Sequence, residues 1–324
     1  MPRPSVARMG TSSAPAVFVL LWSTGFIGAK YGLPYAEPFT LLALRLAIAA
    51  VLLSALAVLT RSAAPRTKGQ YGRSAVSGVL LHSAYLGGVF WGIDHGVPAG
   101  VAAVVVSLQP VLVSALAGAL LGERVAAVQW LGLILGVGGV GLVVAPGLAA
   151  TGLAATGLSG GLTVAGVVAC LIALTGGTLG TLHQKRHGDG IPLLTGTAVQ
   201  YAAASLVLLV AAVGTETMTI QWTARFVLAM VWLVLVLSLG AVLLLLLLLR
   251  RGSASGVSTL FYLVPPATAV EAYLVFGEEL AALSIVGILV TAVGVALAVR
   301  TPRPATAPRE RSRPSSRSTS RDGS

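Results

Sequence analysis

Hydrophobic residues are gathered along this chain into long continuous runs, separated by short segments that hold most of the charged residues. A helix needs about 20 apolar residues to cross the hydrocarbon core of a bilayer. Ten segments meet this requirement, and each is predicted to be a membrane-spanning α-helix. They are residues 15–32, 39–60, 75–94, 98–121, 125–147, 160–182, 192–213, 225–249, 253–276 and 280–299. Strands of a membrane β-barrel would alternate apolar and polar residues, and these runs do not.

The composition supports an all-α integral membrane protein. Of the 324 residues, 56% are hydrophobic and 10% are charged, whereas about 25% are charged in a typical soluble domain. The net charge of +11 is not a sign of nucleic-acid binding, because the basic residues flank apolar runs instead of covering a polar face. The first span is interpreted as a retained helix and not as a signal peptide, because it is long, contains Lys30 and is followed by nine more spans.

The basic residues also predict the orientation of the chain. If both termini are cytoplasmic, 18 of the 21 Lys and Arg residues lie on the inner side of the membrane, as the positive-inside rule requires. Segment 1–14 and the tail 300–324 are then cytoplasmic. The tail is rich in Pro, Ser and Arg, so it is predicted to be disordered and to be attracted to anionic lipid.

An internal repeat divides the spans into two halves. A shift of 155 residues, without a gap, places residues 110–123 over residues 265–278. The first repeat is predicted over residues 15–147 and the second over residues 160–299, joined by an extracytoplasmic linker at 148–159. Because each repeat contains five spans, an odd number, the second repeat must enter the membrane inverted relative to the first.

Inverted repeats are an architecture of secondary transporters, in which the two halves exchange conformations and open a central cavity to each side in turn. Pro110 in the fourth span and Pro265 and Pro266 in the ninth lie at corresponding positions. Each proline removes a backbone hydrogen bond. We therefore predict that they act as hinges beside the cavity; the alternative is a kink without a role in ligand binding.

Several of these segments carry a family resemblance. Residues 102–144 and the weaker copy at 259–297 are similar to the C-terminal parts of two EamA domains, and residues 20–30 (LLWSTGFIGAK), followed by Arg45, resemble the start of the first. The chain thus resembles the EamA-type transporters of the drug/metabolite transporter (DMT) superfamily. The resemblance implies a permease of the bacterial inner membrane, usually an exporter of small metabolites, amino acids or toxic compounds, driven by exchange or by the proton gradient.

Ionisable side chains within the spans are candidate functional residues, because each costs about 2.5–3.5 kcal/mol at membrane depth. Arg45 and Glu271 are both predicted to lie roughly 7–9 Å below the outer surface. We hypothesise that they line the outer part of the cavity. There they would pair with each other in a closed gate, or Arg45 would bind a substrate carboxylate. The alternative is that each extends to the surface or only holds helices together.

The same residues provide candidates for proton coupling. Glu271 is the only carboxylate well inside a predicted span, and a carboxyl group can take up and release a proton. His82, near the middle of the third span, is the second candidate because histidine titrates near neutral pH. A lone histidine in a membrane is more commonly a hydrogen-bonded packing residue. Because Glu271 and His82 can both titrate, the proton is the candidate coupling ion.

Uncharged side chains complete the predicted substrate site. Trp22, Tyr85 and Tyr262 lie at mid-depth in their spans, where they would line the cavity with Arg45 and Gln109 or simply pack. The second repeat lacks some of these residues. Under the shift, Arg45 corresponds to Gln200, Trp22 to Gly177 and Gln109 to Val264. The two gates are therefore expected to differ chemically.

No sequence motif for catalysis, ATP hydrolysis or metal binding occurs, so we predict no enzymatic activity, no cofactor and no metal site. Two other functions stay open: a flippase for an amphiphilic or lipid-linked molecule, and a membrane scaffold that does not transport. Gly132 and Gly136 have the spacing that favours close helix contact, either within a monomer or in a homodimer.

Overall fold

The structure is a computed structural model that describes residues 14–121, 127–154, 162–241, 244 and 261–298. Within these ranges the chain is helical, apart from short loops and one isolated β-bridge. The helices are α1 (Ala14–Gly32), α2 (Pro38–Leu59), α3 (Lys68–Asp94), α4 (Ala99–Val106), α5 (Gln109–Leu121), α6 (Ala127–Ala154), α7 (Val164–His187), α8 (Leu193–Thr215), α9 (Ala224–Ala241), α10 (Val264–Phe276) and α11 (Ala282–Ala298).

Seven helices among the described residues are long and apolar enough to cross a membrane: α1, α2, α3, α6, α7, α8 and α9. Three shorter apolar helices, which are α4 with the start of α5, α10 and α11, fall in the other predicted spans. The outside of the bundle is apolar, with Val58, Val210 and Leu274 exposed by 77%, 73% and 74%. Such a surface is unfavourable in water and suits contact with lipid chains.

The predicted span 98–121 is two helices instead of one. α4 ends at Val106 and α5 begins at Gln109. Pro110 has no N–H to donate to the carbonyl of Val106, and its ring would collide with that carbonyl in a continuous helix. The chain tightens at Ser107, whose backbone N–H reaches both the Ala103 and the Val104 carbonyl.

α6 continues through Pro146 to Ala154, so its last residues extend into the segment 148–159 that is predicted to be a linker. This stretch is rich in Ala and Leu, which favour helix strongly. The end of the predicted span 225–249, apart from Leu244, and the start of the span 253–276 lie outside the described residues, as do most of segment 1–14 and the tail 300–324.

Helix boundaries recur at the same 155-residue shift that the sequence shows. The starts of three helices in the first half have counterparts in the second half: Pro38 with Leu193, Gln109 with Val264, and Ala127 with Ala282. The break before α5 is matched by a 3₁₀ turn, Phe261–Leu263, before α10. Local structure therefore repeats even where the two halves differ in sequence.

A wide π-helical segment occurs in both halves as well. Val79–Ala84 lies within α3 and Trp232–Ala241 within α9, and the two segments overlap under the same shift. π-Helical turns are rare and are often found at functional sites. Their recurrence marks the middle of α3 and α9 as a place to look for function.

The most extensive contact between the two halves among the described residues runs along α6 and α11. A Cβ atom added to Gly139 would lie 2.6 Å from the Thr291 backbone nitrogen and 2.8 Å from the Gly287 carbonyl oxygen. One added to Gly294 would lie 2.7 Å from the Gly132 carbonyl oxygen. The close contact that the glycine spacing of α6 predicts is thus formed with α11 of the same chain.

Candidate functional site

A group of polar side chains lies between α2, α3, α8 and α9. We call it the central polar cluster; its members are Arg45, His82, Gln200, Tyr201 and Ser238. Arg45 is only 6% exposed, and its Nε donates a hydrogen bond to Ser238 Oγ at 3.1 Å. The helices themselves are strongly apolar, so these side chains form a polar region inside apolar surroundings.

The π-helical segments supply residues of this cluster. Ser238 Oγ donates to the carbonyl of Leu233, five residues earlier, at 3.0 Å, which the widened turn makes possible. Ser83, the counterpart of Ser238 under the shift, donates to the Ala204 carbonyl of α8 at 3.2 Å. In each half the widened turn therefore carries a buried serine that joins it to a polar or backbone group of a neighbouring helix.

His82 and Tyr201 connect the two sides of the central polar cluster. Their rings lie 4.6 Å apart at 80°, in an edge-to-face arrangement. Tyr201 donates its hydroxyl hydrogen to the Ser238 carbonyl at 3.4 Å, and Gln200 is within hydrogen-bonding reach of His82. All the partners of Arg45 in this cluster are therefore neutral polar groups or aromatic rings.

The hypothesised ion pair between Arg45 and Glu271 is not formed in this structure. Ion pairs among the described residues are those of Lys30 with Glu278 and His95 with Asp94. The physical reason is the packing of the helices: α2 packs on α8 and α9, whereas α10, which carries Glu271, packs on α1 and α4. The two side chains thus lie in different interfaces.

Glu271 belongs to a second polar site, between α1 and α10. Ser23, which is fully buried, donates its hydroxyl hydrogen to Glu271 Oε1 at 2.7 Å. Glu271 Oε2 and the hydroxyl of Thr268, one turn earlier, are buried, and neither has a hydrogen-bond partner within the part of the chain that the structure describes. A buried carboxylate oxygen without a partner can accept a proton from a neighbouring group or from water that enters the site.

Trp22, Tyr85 and Gln109 occupy two different places. Trp22 packs in an aromatic group with Phe18 and Phe261, with ring centroids 5.3 and 5.2 Å from its own. The side chain of Tyr262 lies outside the described part of the structure. On the α7 side, Gln109 Nε2 donates to the Gly177 carbonyl at 3.1 Å.

Gly177 provides the space that Tyr85 and Gln109 use. A Cβ atom at this position would lie 2.7 Å from Tyr85 Cδ2 and 2.9 Å from Gln109 Oε1. In the first repeat the corresponding position holds Trp22. Where the first repeat has the large ring of Trp22, the second repeat has a glycine, and the space is used by side chains of α3 and α5. The two sides of the bundle are therefore chemically different.

The predicted hinge prolines lie at the beginnings of helices. Pro110 is the second residue of α5, and Pro265 and Pro266 are in the first turn of α10. In that turn a backbone N–H has no partner within the helix, so proline costs little. The chain changes from a tight turn to α-helix immediately before each proline position, and such a junction is a suitable place for bending.

One end of the bundle is held together by a loop clasp, which we define as residues 35–40 and 216–221. The Glu216 carboxylate accepts the backbone N–H groups of Phe39 and Thr40, each at 2.7 Å, at the start of α2. In return Glu37 Oε2 accepts the backbone N–H of Thr217 at 2.7 Å. The clasp therefore links the two halves by exchanged carboxylates. Lys30 and Glu278 add an ion pair at the same end.

Two pockets open at the opposite end. One, of about 40 Å³, lies between α3, α7 and α8 and is lined by residues that include Arg73, His187 and Gln200. The other, of about 480 Å³, lies between α2 and α8 beside Arg61 and Tyr71. Gln200 belongs both to the smaller pocket and to the central polar cluster, so this pocket reaches the cluster from the end opposite to the clasp.

Comparison with known proteins agrees with this geometry. The model of the EamA-like transporter family matches the chain twice, over residues 14–145 and 164–300. The chain belongs to the EamA-like transporter family. It is therefore a multi-pass membrane transporter of the DMT type, as the resemblance of its EamA-like segments implies.

Individual relatives support this assignment. This EamA-like transporter is 29% identical over 284 residues to the "Uncharacterized transporter YvbV" of Bacillus subtilis (strain 168), which covers 87% of this chain and 89% of that protein. It is 25% identical over 288 residues to the "WAT1-related protein At3g02690, chloroplastic" of Arabidopsis thaliana, covering 85% of this chain and 66% of the relative. A crystal structure of another protein has the same fold, with a TM-score of 0.59 and 19% identity over 89% of this chain and 96% of that one.

Several residues of the site are not found by reasoning from the sequence of this EamA-like transporter. Tyr201 and Ser238 contact Arg45 or its neighbours, yet hydroxyl groups in apolar helices are too common to be singled out. One signal was present, since the 155-residue shift aligns Ser238 with Ser83. Within the described residues there is no group of three or more His, Cys, Asp or Glu side chains that could hold a metal ion.

Proposed function

We propose that this EamA-like transporter exports small metabolites, amino acids or drug-like compounds across the bacterial inner membrane by alternating access. Its ten spans would form two inverted repeats, 15–147 and 160–299, with both termini in the cytoplasm. The family match over both halves and the recurrence of helix boundaries at one shift support this architecture. The excess of basic residues in alternate segments supports the orientation.

The observation that carries the proposal is the composition of the central polar cluster. Arg45 and Gln200 are equivalent residues of the two repeats, and so are Ser83 and Ser238, yet all four lie where the repeats meet. In transporters built from inverted repeats, the substrate site lies near the midplane at the interface of the repeats. Placing an ionisable side chain inside apolar helices costs free energy, and such residues are therefore candidates for a functional role.

The different state of the two ends supports alternating access. The loop clasp joins the halves at the end predicted to be outside, while both pockets open at the end predicted to be cytoplasmic. On this basis we assign the structure to an inward-facing conformation. In the opposite conformation the clasp would separate and the cytoplasmic pockets would close.

Glu271 is proposed to couple transport to protons. It lies in α10 near the end closed by the clasp, with one oxygen bound by Ser23 and the other without a partner. A carboxylate in this position can take up a proton when the outer end opens and release it after the conformational change. Proton entry would then drive substrate export.

The proposal is tested in proteoliposomes that contain the purified transporter and an internal pH dye. A pH gradient is imposed, and amino acids, purine derivatives and cationic drugs are added in turn. We expect a pH change that depends on one class of compound. A folded protein that gives no pH change and no isotope counterflow with any compound would contradict the proposal.

Removal of the Glu216 carboxylate should favour opening of the outer end. Glu216→Ala deletes the acceptor of the Phe39 and Thr40 N–H groups, and hydrogen bonds to a charged group contribute about 1.5–3 kcal/mol each. A cysteine at the buried position Ala43, in a Cys170→Ala background, should then react about 10-fold faster with an external, impermeant maleimide. Glu279→Ala removes an exposed carboxylate at the same end and is the matched control. Equal labelling rates in the two variants would contradict a gating role for the clasp.

A further inference from the structure

Arg45 is a buried cation, and no acidic side chain among the described residues forms an ion pair with it. Its guanidinium is 6% exposed, Nε donates to Ser238 Oγ, and the Phe90 ring centroid lies 6.0 Å from Cζ. Arginine keeps its positive charge at neutral pH. A buried charge is strongly unfavourable unless it is paired. The centre of the bundle therefore has an unmet requirement for negative charge.

The described carboxylates that could meet this requirement are engaged elsewhere. Glu271 is bound by Ser23 of α1, and Glu278 pairs with Lys30. Glu37 and Glu216 are held in the loop clasp. None of these contacts involves α9 or the part of α2 that carries Arg45. A transported molecule with a negative charge would supply the counter-charge that these four carboxylates do not provide.

The surroundings of Arg45 define what kind of anion fits. A guanidinium binds a carboxylate through two parallel hydrogen bonds. The hydroxyl groups of Ser238 and Tyr201 lie close by, and each of them donates to a backbone carbonyl in this structure. The aromatic rings of Phe90 and Tyr201 provide apolar surface beside the charge. Because the equivalent residue of the second repeat is the neutral Gln200, only one side of the cluster offers a full positive charge.

We propose that the substrates are organic monoanions whose carboxylate is bound by Arg45 and whose apolar part lies against the neighbouring rings. This inference rests on the proposed transport function, since it assigns the substrate class of the same central polar cluster. It requires that one end of the substrate carries a negative charge.

The test compares carboxylates with their neutral amides on the purified full-length transporter in detergent. Benzoate is paired with benzamide, and indole-3-acetate with indole-3-acetamide, and binding is measured by calorimetric titration and by thermal shift. We expect at least one carboxylate to bind 10- to 100-fold more tightly than its amide, because the bond to a charged group is lost in the amide. Equal affinity within both pairs would overturn the proposal.

Two variants at position 45 locate the effect. Arg45→Gln introduces the residue that the second repeat already carries, and it should remove the preference for carboxylate over amide. Arg45→Lys keeps the charge but loses the two-bond geometry, so it should keep a weaker preference. A preference that persists unchanged in Arg45→Gln would overturn the proposal. If Arg45→Gln does not fold, Arg45→Lys decides, since loss of all preference despite the retained charge would count against a charge-based site.

Failure of this inference can be told from failure of the transport function. If isotope counterflow in proteoliposomes occurs only with neutral or cationic compounds, the transport function stands and the anion site is wrong. If carboxylates bind with the expected preference but no compound is transported, the anion site stands and the transport function is wrong.

Discussion

Substitution of Gly139 by alanine is expected to destabilise the protein by roughly 1–3 kcal/mol, the cost of inserting an atom into a well-packed contact. The added Cβ would lie 2.6 Å from a backbone nitrogen of Thr291 and 2.8 Å from the Gly287 carbonyl oxygen. These are main-chain atoms, so the contact cannot be relieved by a side-chain rotation. α6 and α11 would have to move apart along the most extensive described contact between the two halves.

The neighbouring glycine is the matched control. A Cβ at Gly138 would have no atom within 4 Å, so Gly138→Ala should keep or slightly raise stability, because alanine favours helix by up to about 1 kcal/mol over glycine. Cys170 is the only cysteine and is buried, so a thiol-reactive dye reports unfolding without further changes. We expect the apparent Tm of Gly139→Ala to fall by roughly 5 °C. Equal melting temperatures for the two variants would show that the helices are not held at backbone contact.

Glu271→Gln is expected to abolish proton-driven transport while leaving exchange of substrate across the membrane intact. The amide oxygen of glutamine can still accept the hydrogen bond from Ser23, so the contact between α1 and α10 is kept. The amide cannot bind and release a proton near neutral pH. The pH change in dye-loaded proteoliposomes should therefore disappear, whereas isotope counterflow without a pH gradient should continue at a comparable rate.

Glu279→Gln is the control for this experiment, since it neutralises an exposed carboxylate eight residues further along the chain. It should leave both activities unchanged. Full proton dependence in Glu271→Gln would contradict the coupling role. His82, the second candidate for proton coupling, would then be tested for that role.

The sequence predicts the helical segments well because the bilayer sets a simple requirement for length and hydrophobicity. The structure has an apolar helix in each of the ten predicted spans, although α6 continues further than expected and the span 98–121 is divided before Pro110. Pro110 indicates that the helix is interrupted at this point. The hydrophobic pattern alone does not distinguish a bent helix from two separate helices, and the structure has two.

Arg45 and Glu271 illustrate the limit of sequence reasoning about a site. Their depth in the membrane follows from counting residues along a helix, and this made an ion pair between them a reasonable hypothesis. Which helices lie side by side does not follow from depth. In the structure Arg45 meets Ser238 across the interface of α2 and α9, while Glu271 meets Ser23 across that of α1 and α10.

The sequence by itself determined the apolar helices, the 155-residue repeat and the membership of a transporter family, since each depends on local composition or on comparison along the chain. Only the tertiary structure decided the partners: the central polar cluster, the loop clasp and the contact of α6 with α11. These depend on how apolar helices pack against each other. That packing is fixed by small shape differences, such as a glycine facing a backbone carbonyl, which hydrophobicity does not encode.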